Sequence, residues 1–239
     1  MIDSIINKES IMTQRYAVYF SPSADSQLGQ FGQRVLCRSA TSDRKPNASS
    51  TFSDQARWLR LTEKPAHYGF HATLKAPFEL KRSITVDKLT RAVTDFATSQ
   101  SPIELTSLSP RNLGDFMALT LENEIETLSK FALDCVISLE PFRQVLSDGD
   151  MQRRKLHGIS SRQESLLLEY GYPYVADEFR FHLTLSDKLS KHDQDYKTWV
   201  ISEYDKLVVR PPVLDQIAIY AQTDRQSPFI QVAEFALSG

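Results

Sequence analysis

The chain has 239 residues, with 41% hydrophobic and 24% charged side chains, the balance of a globular protein and not of a disordered one. A net charge of −2 and a pI near 6.2 argue against a protein whose main task is gripping a nucleic-acid backbone, while a small anionic ligand needs only a local positive site. No apolar run approaches the roughly 18 residues of a membrane-spanning helix, and the N-terminus lacks the basic and apolar regions of a signal peptide, so a cytoplasmic protein is expected.

Organised pattern begins at Arg15, and residues 1–14 are set aside as an N-terminal extension. The aromatic, β-branched run 15–20 reads as a strand, with Arg15, Ala17 and Tyr19 on one face. Leu28, Phe31, Val35 and Leu36 predict an amphipathic helix over 25–38. The polar stretch 39–54 reads as a surface loop. Trp58, Leu59 and Leu61 lead into an apolar strand, Tyr68-Gly-Phe-His-Ala-Thr-Leu-Lys75, that ends at Ala76-Pro77. A helix over 86–99 follows, capped by Thr85 or Ser83. Residues 103–108 and 116–121 read as strands around a Pro110/Gly114 turn, and 123–139 as a long helix.

An irregular crossover from Glu140 leads to the basic run Arg153-Arg154-Lys155. A helix over 159–170 stops at Gly171, and a second apolar strand runs Phe179-Arg-Phe-His-Leu-Thr-Leu185. A helix over 192–205 and strands over 214–220 and 229–237 close the chain. The pattern is α+β: helices mixed with short strands on short connections. Cys37 and Cys135 stand far apart without metal-ligand spacing, as two reduced thiols.

The two apolar strands each carry a His-x-Thr triplet, His71-Ala-Thr73 and His182-Leu-Thr184, 182 − 71 = 111 residues apart. Strand alternation puts His and Thr on one face and their apolar neighbours on the other. A single triplet would be a satisfied structural histidine; two in matching contexts near half the chain length point to two lobes sharing a cleft. Two imidazoles flanking a phosphorus can take a proton from an attacking hydroxyl and return one to the leaving oxygen. Two threonine hydroxyls can hold the phosphoryl oxygens. By strand parity Lys75 and Arg180 are the nearest cations on those faces, and Tyr19 and Tyr68 are the aromatic candidates for substrate contact. The Arg153–Lys155 run reads as a solvated face, with contact to a nucleotide or RNA end as the lesser alternative, His157 and His192 as surface residues, and Tyr16 and Tyr220 as core. The His67/His71 spacing would suit a metal pair on a helix, but Tyr68-Gly69-Phe70 between them favours a strand or turn, and no metal or cofactor is called for.

These runs, together with Pro141-Phe-Arg143 and Gly171-Tyr-Pro-Tyr-Val175, resemble the 2H phosphoesterase superfamily and, within it, the bacterial DUF1045 family of phosphonate-metabolism proteins. The resemblance implies a LigT-like α+β fold over 15–239, with two pseudo-twofold lobes (about 15–140 and 141–239) whose antiparallel sheets line a central cleft. It also implies metal-independent cleavage or formation of 2′,5′ or 2′,3′-cyclic phosphoesters, with His71 and His182 as the acid–base pair and Thr73 and Thr184 as phosphate ligands. The expectation is a monomeric cyclic phosphodiesterase acting on a small cyclic phosphate of a ribose or nucleotide. Processing of RNA ends or 2′,5′-linked oligonucleotides, and a non-catalytic phosphate-ligand sensor, are the rival readings.

Overall fold

The aromatic run Arg15–Phe20 forms β1, the inner strand on which the largest sheet is assembled. The structure, a computed structural model, describes residues 14–42, 50–156 and 158–239. Most of the proposed N-terminal extension, the middle of the 39–54 loop and His157 therefore lie outside the described residues. β1 is followed by α1 (Gln27–Leu36), whose first turn is closed by the Ser26 hydroxyl accepting from Gly29 N–H. Next come α2 (Gln55–Leu61) and α3 (Glu63–Tyr68), then β2 (Ala72–Glu79) and α4 (Val86–Thr98). β3 (Ile103–Glu104), β4 (Ser109–Leu113) and β5 (Phe116–Thr120) precede α5 (Glu126–Leu139), α6 (Asp148–Lys155) and α7 (Ser161–Tyr170). β6 (His182–Thr184), α8 (Gln194–Leu207), β7 (Val213–Leu214), β8 (Gln216–Gln222) and β9 (Ile230–Ala236) complete the chain.

The strands form antiparallel sheets of order β2-β1-β8-β9 and β4-β5-β6, with a small β3–β7 pair. This is the expected α+β architecture with antiparallel sheets. Both motif strands are edge strands, one in each main sheet, and they lie against one another. The core behind them holds Phe70, Ala72 and Leu74 from the first motif and Phe181, Leu183 and Leu185 from the second, all buried. The sheets do not divide the chain near residue 140: the four-stranded sheet joins β1 and β2 to β8 and β9, and the three-stranded one joins β4 and β5 to β6.

Five local expectations are corrected. The stretch before the first motif is two short helices and not a strand lead-in: Asp54 accepts from Arg57 N–H to start α2. Pro65 sits in the first turn of α3, where no intrahelical N–H is required. β2 runs through Pro77, and the partner of β5 is the Pro110-bearing β4 instead of 103–108. Both prolines are tolerated because each strand is a sheet edge. The crossover before residue 155 contains α6, capped by the Ser147 hydroxyl accepting from Asp150 N–H. The second motif strand is only three residues long, because Phe179–Phe181 runs outside the ladder.

Candidate active site

Gly69 sets the first motif. It ends α3 with φ +87° and ψ 170°, a region open essentially to glycine alone, and turns the chain sharply from the helix into β2. Its carbonyl then accepts a hydrogen bond from His71 Nδ1 at 2.9 Å. In the second motif the Arg180 carbonyl accepts from His182 Nδ1 at 2.7 Å. A carbonyl oxygen can only accept, so both neutral rings carry their proton on Nδ1 and leave Nε2 as the basic nitrogen. The same i, i−2 contact in both lobes orients the two imidazoles alike.

Arg38, buried at 4% exposure, holds this turn in place. Its guanidinium donates to the carbonyls of Ala66, His67 and Phe229, tying the carbonyl end of α3 to the start of β9. Nothing in the local sequence marked it: one bond goes to the nearby Ser42 carbonyl, but the partners that hold the turn lie 28 to 191 residues away.

His71, Thr73 and Thr184 line one cleft of about 710 Å³. His182 stands two residues before Thr184 on the same strand face, near enough for its charge to depress His71 further. Burial is the main cause of that depression and takes His71 down to about 3; the Gly69 bond opposes it. His182 is also lowered by burial and partly restored by its bond to Arg180. Both imidazoles are therefore neutral near pH 7. The Thr73 hydroxyl lies 3.4 Å from His71 Nε2. Tyr19 stacks on the His71 ring at 3.7 Å and 18° and also faces the cleft. Tyr68, 41% exposed, stacks on Phe229 at its margin.

Two expected cations are elsewhere. Lys75 is 2% exposed, and its Nζ bonds Glu140 Oε2 at 2.5 Å and the Val136 carbonyl at 3.3 Å. The cause is a bulge: β1 residues Val18 and Tyr19 pair with Lys75 and Thr73, so one residue of β2 has no counterpart. The extra residue reverses the alternation and sends Lys75 to the core side with Val18. Arg180 is exposed and folds back on its own loop, donating to the carbonyls of Asp177 and Phe179. It serves the site through its own carbonyl and not its charge.

The cleft's positive charge comes instead from Arg15, Arg153, Arg154 and Arg225, with Lys64 and Lys188 at the mouth. The two lysines are paired, Lys64 with Asp187 at 3.0 Å and Lys188 with Asp115 at 2.7 Å. The basic run is thus split by the helix: Arg153 and Arg154 face the cleft, while Lys155 pairs with Glu164. Tyr172 supplies a further aromatic wall. Tyr16 and Tyr220 are buried as expected, the latter bonded to Ser21 at 2.8 Å. His67 falls in the last turn of α3, with Gly69 between it and His71.

Comparison with known proteins gives three kinds of likeness. "Ribose 1,5-bisphosphate phosphokinase PhnN" of Janthinobacterium sp. (strain Marseille) is 30% identical over 242 residues, covering 98% of this chain and 53% of the relative. The protein of the same name from Laribacter hongkongensis (strain HLHK9) is 28% identical over 224 residues, covering 90% of this chain and 50% of its own. The chain therefore spans about half the length of these curated relatives. Among solved structures, E. coli LigT complexed with 3′-AMP is 12% identical with a TM-score of 0.41, covering 95% of this chain and 99% of that one. A conserved protein of unknown function from Agrobacterium tumefaciens is 13% identical with a TM-score of 0.39, covering 95% and 87%. Residues 73–230, from the first motif threonine to the opening of the last strand, match the family described as "Protein of unknown function (DUF1045)", and the chain belongs to that family.

Proposed function

We propose that the chain is a metal-independent phosphoesterase of the 2H type that hydrolyses a small cyclic phosphodiester of a ribose or nucleotide. The observation that carries this is the matched pair of imidazoles: each Nδ1 is tied to the carbonyl two residues before it, and the two edge strands lie against one another beside a cationic cleft. His71 Nε2, neutral far below pH 7, takes a proton from water as the water oxygen bonds phosphorus. His182, protonated once a phosphate anion is beside it, gives its proton to the departing ester oxygen. Thr73 and Thr184 donate to the non-bridging oxygens, where negative charge builds up in the transition state. One P–O bond forms, one breaks, and the product is a phosphomonoester.

The kinase name of the longer relatives is not carried to this chain. These 239 residues contain no Gly-x4-Gly-Lys-Ser/Thr run to cradle a nucleotide triphosphate. A place in phosphonate metabolism rests on the family resemblance. The test is turnover of a panel of 2′,3′- and 1,2-cyclic phosphates by chelator-treated protein. His71→Ala and His182→Ala should each lower kcat by about 10²–10⁴-fold with the fold intact by circular dichroism. Wild-type rates in both variants overturn the mechanism. The alternative of an RNA-end enzyme draws on Arg153 and Arg154 in the cleft wall; tight oligonucleotide binding that falls steeply with salt would favour it.

A further inference from the structure

The cleft continues into a second hollow of about 490 Å³, and the two share Arg15, Pro77, Asp150, Arg154 and Arg225. Three arginines thus meet one carboxylate at the junction. That carboxylate is already engaged: Asp150 bonds Arg153 at 2.5 Å and Arg225 at 2.8 Å. Arg225 also lies 3.5 Å from Glu79. Arg15 and Arg154 are left with neutral partners only. Arg15 donates to the Gln222 side-chain oxygen and lies over the Phe229 ring at 5.5 Å. Arg154 donates to the Pro77 carbonyl at 3.2 Å and lies over the Tyr172 ring at 5.6 Å. Among the described residues neither has a carboxylate within ion-pair distance.

Two half-buried guanidiniums with no carboxylate in direct contact among the described residues, on the wall of a cleft, are an arrangement that a bound anion would complete. Burial lowers the pKa of both, and the charge of Arg225 adds to this at Arg15, as that of Arg15 does at Arg154; nearby tyrosines and the more distant Asp150 carboxylate oppose it at both without reversing it. Their place relative to the imidazoles is set by β1. Arg15 and Tyr19 share a face, roughly 13 Å apart along the strand, and the Tyr19 ring that stacks on His71 has Arg15 within electrostatic reach of its hydroxyl. The anion therefore sits beyond the tyrosine hydroxyl from the imidazole, a separation that suits a sugar between two phosphates better than two linked phosphates.

We propose that Arg15 and Arg154 form a second anion subsite, so that the substrate is a sugar or nucleotide carrying a terminal phosphate in addition to the phosphoester at the histidines. This rests on the reading that the His/Thr pair holds the reacting phosphate. The experiment is calorimetric binding of adenosine 2′-monophosphate and adenosine 2′,5′-bisphosphate, neither of which needs turnover. Wild type should bind the bisphosphate at least about tenfold tighter, the scale of one charge-assisted anion contact. Arg15→Gln and Arg154→Gln should each bring the ratio to within about threefold. A ratio near one in wild type overturns the subsite without any variant, as does an unchanged ratio in both folded variants. A short oligoribonucleotide that binds tighter than the bisphosphate overturns the small-molecule assignment. Should no cyclic phosphate be hydrolysed while the ratio holds, the phosphodiesterase reading falls and the subsite stands; hydrolysis with a ratio near one is the reverse.

Discussion

His71 carries its imidazole in an environment that penalises protonation, and this has a sign that can be checked. Its folded pKa is about 3, against roughly 6.5 when the chain is unfolded. Between those values the unfolded chain binds a proton that the folded one does not. The stability owed to neutral His71 is thus complete above pH 6.5 and is lost as pH falls toward 3, by at most about 1.4 kcal/mol per pH unit. Urea unfolding at pH 6.5 and pH 5 should show His71→Asn losing less stability than wild type over that interval, by up to about 2 kcal/mol. Equal losses in the two proteins would mean that the ring titrates as if exposed. The two histidines and two threonines were legible in the sequence because residue type and alternation survive folding. Lys75 was misplaced because alternation counts residues, and the bulge opposite Val18 and Tyr19 adds one to β2. In the sequence Arg15 stands out only for sharing a face with Tyr19, and Arg154 only as part of a basic run, because which arginines lack a carboxylate in direct contact is visible only once the side chains around them are placed.

At the scale of elements the site is a matter of how strands begin. α3 must stop and β2 must start within three residues, and Gly69 is the joint. A Cβ there would meet nothing closer than 3.6 Å, so the cost of a side chain is one of backbone strain and not of collision. Gly69→Ala should lower stability by about 1–3 kcal/mol, and any relaxation of φ moves the carbonyl that fixes the His71 ring. A fall in kcat of tenfold or more, larger than any rise in KM, is expected. Gly114→Ala is the control: its φ of +61° lies in the left-handed region, with open space around it, and it belongs to the β4–β5 turn. That variant should lose some stability through its φ without the tenfold loss in kcat; equal kcat losses in both would remove the role given to the Gly69 carbonyl. The long helices α4, α5, α7 and α8 were readable from their apolar spacing. α2 and α3 were not, because helices of seven and six residues carry too few turns for a period to show. Pro77 reads as a strand end and Pro110 as part of a turn, when edge position makes both compatible with strands.

At the scale of the molecule, the near half-chain spacing of the motifs suggests two consecutive lobes, and the sheet order argues against separable ones. β1 pairs on one side with β2, sixty residues on, and on the other with β8, near the end of the chain. In β8, Ile217, Ala218, Ile219 and Tyr220 are all at or below 1% exposure. In residues 15–140 alone, β1 would lose that partner and present an open, apolar edge, which invites association instead of folding. In residues 141–239 alone, β6 would lose the β5 residues Ala118, Leu119 and Thr120 that pair with Thr184, Leu183 and His182. A strand of three residues does not hold its register without such a neighbour. Neither fragment, expressed separately, should show a cooperative thermal transition or dispersed amide resonances, whereas the whole chain should unfold in one transition. A fragment 15–140 that folds alone would show that the motif strands are held by independent units, and the two motifs would then owe their apposition to docking. If instead the fragments fold only when mixed, the apposition of His71 and His182 is a property of the interleaved sheets. The cleft would then be no easier to dismantle than the core beneath it.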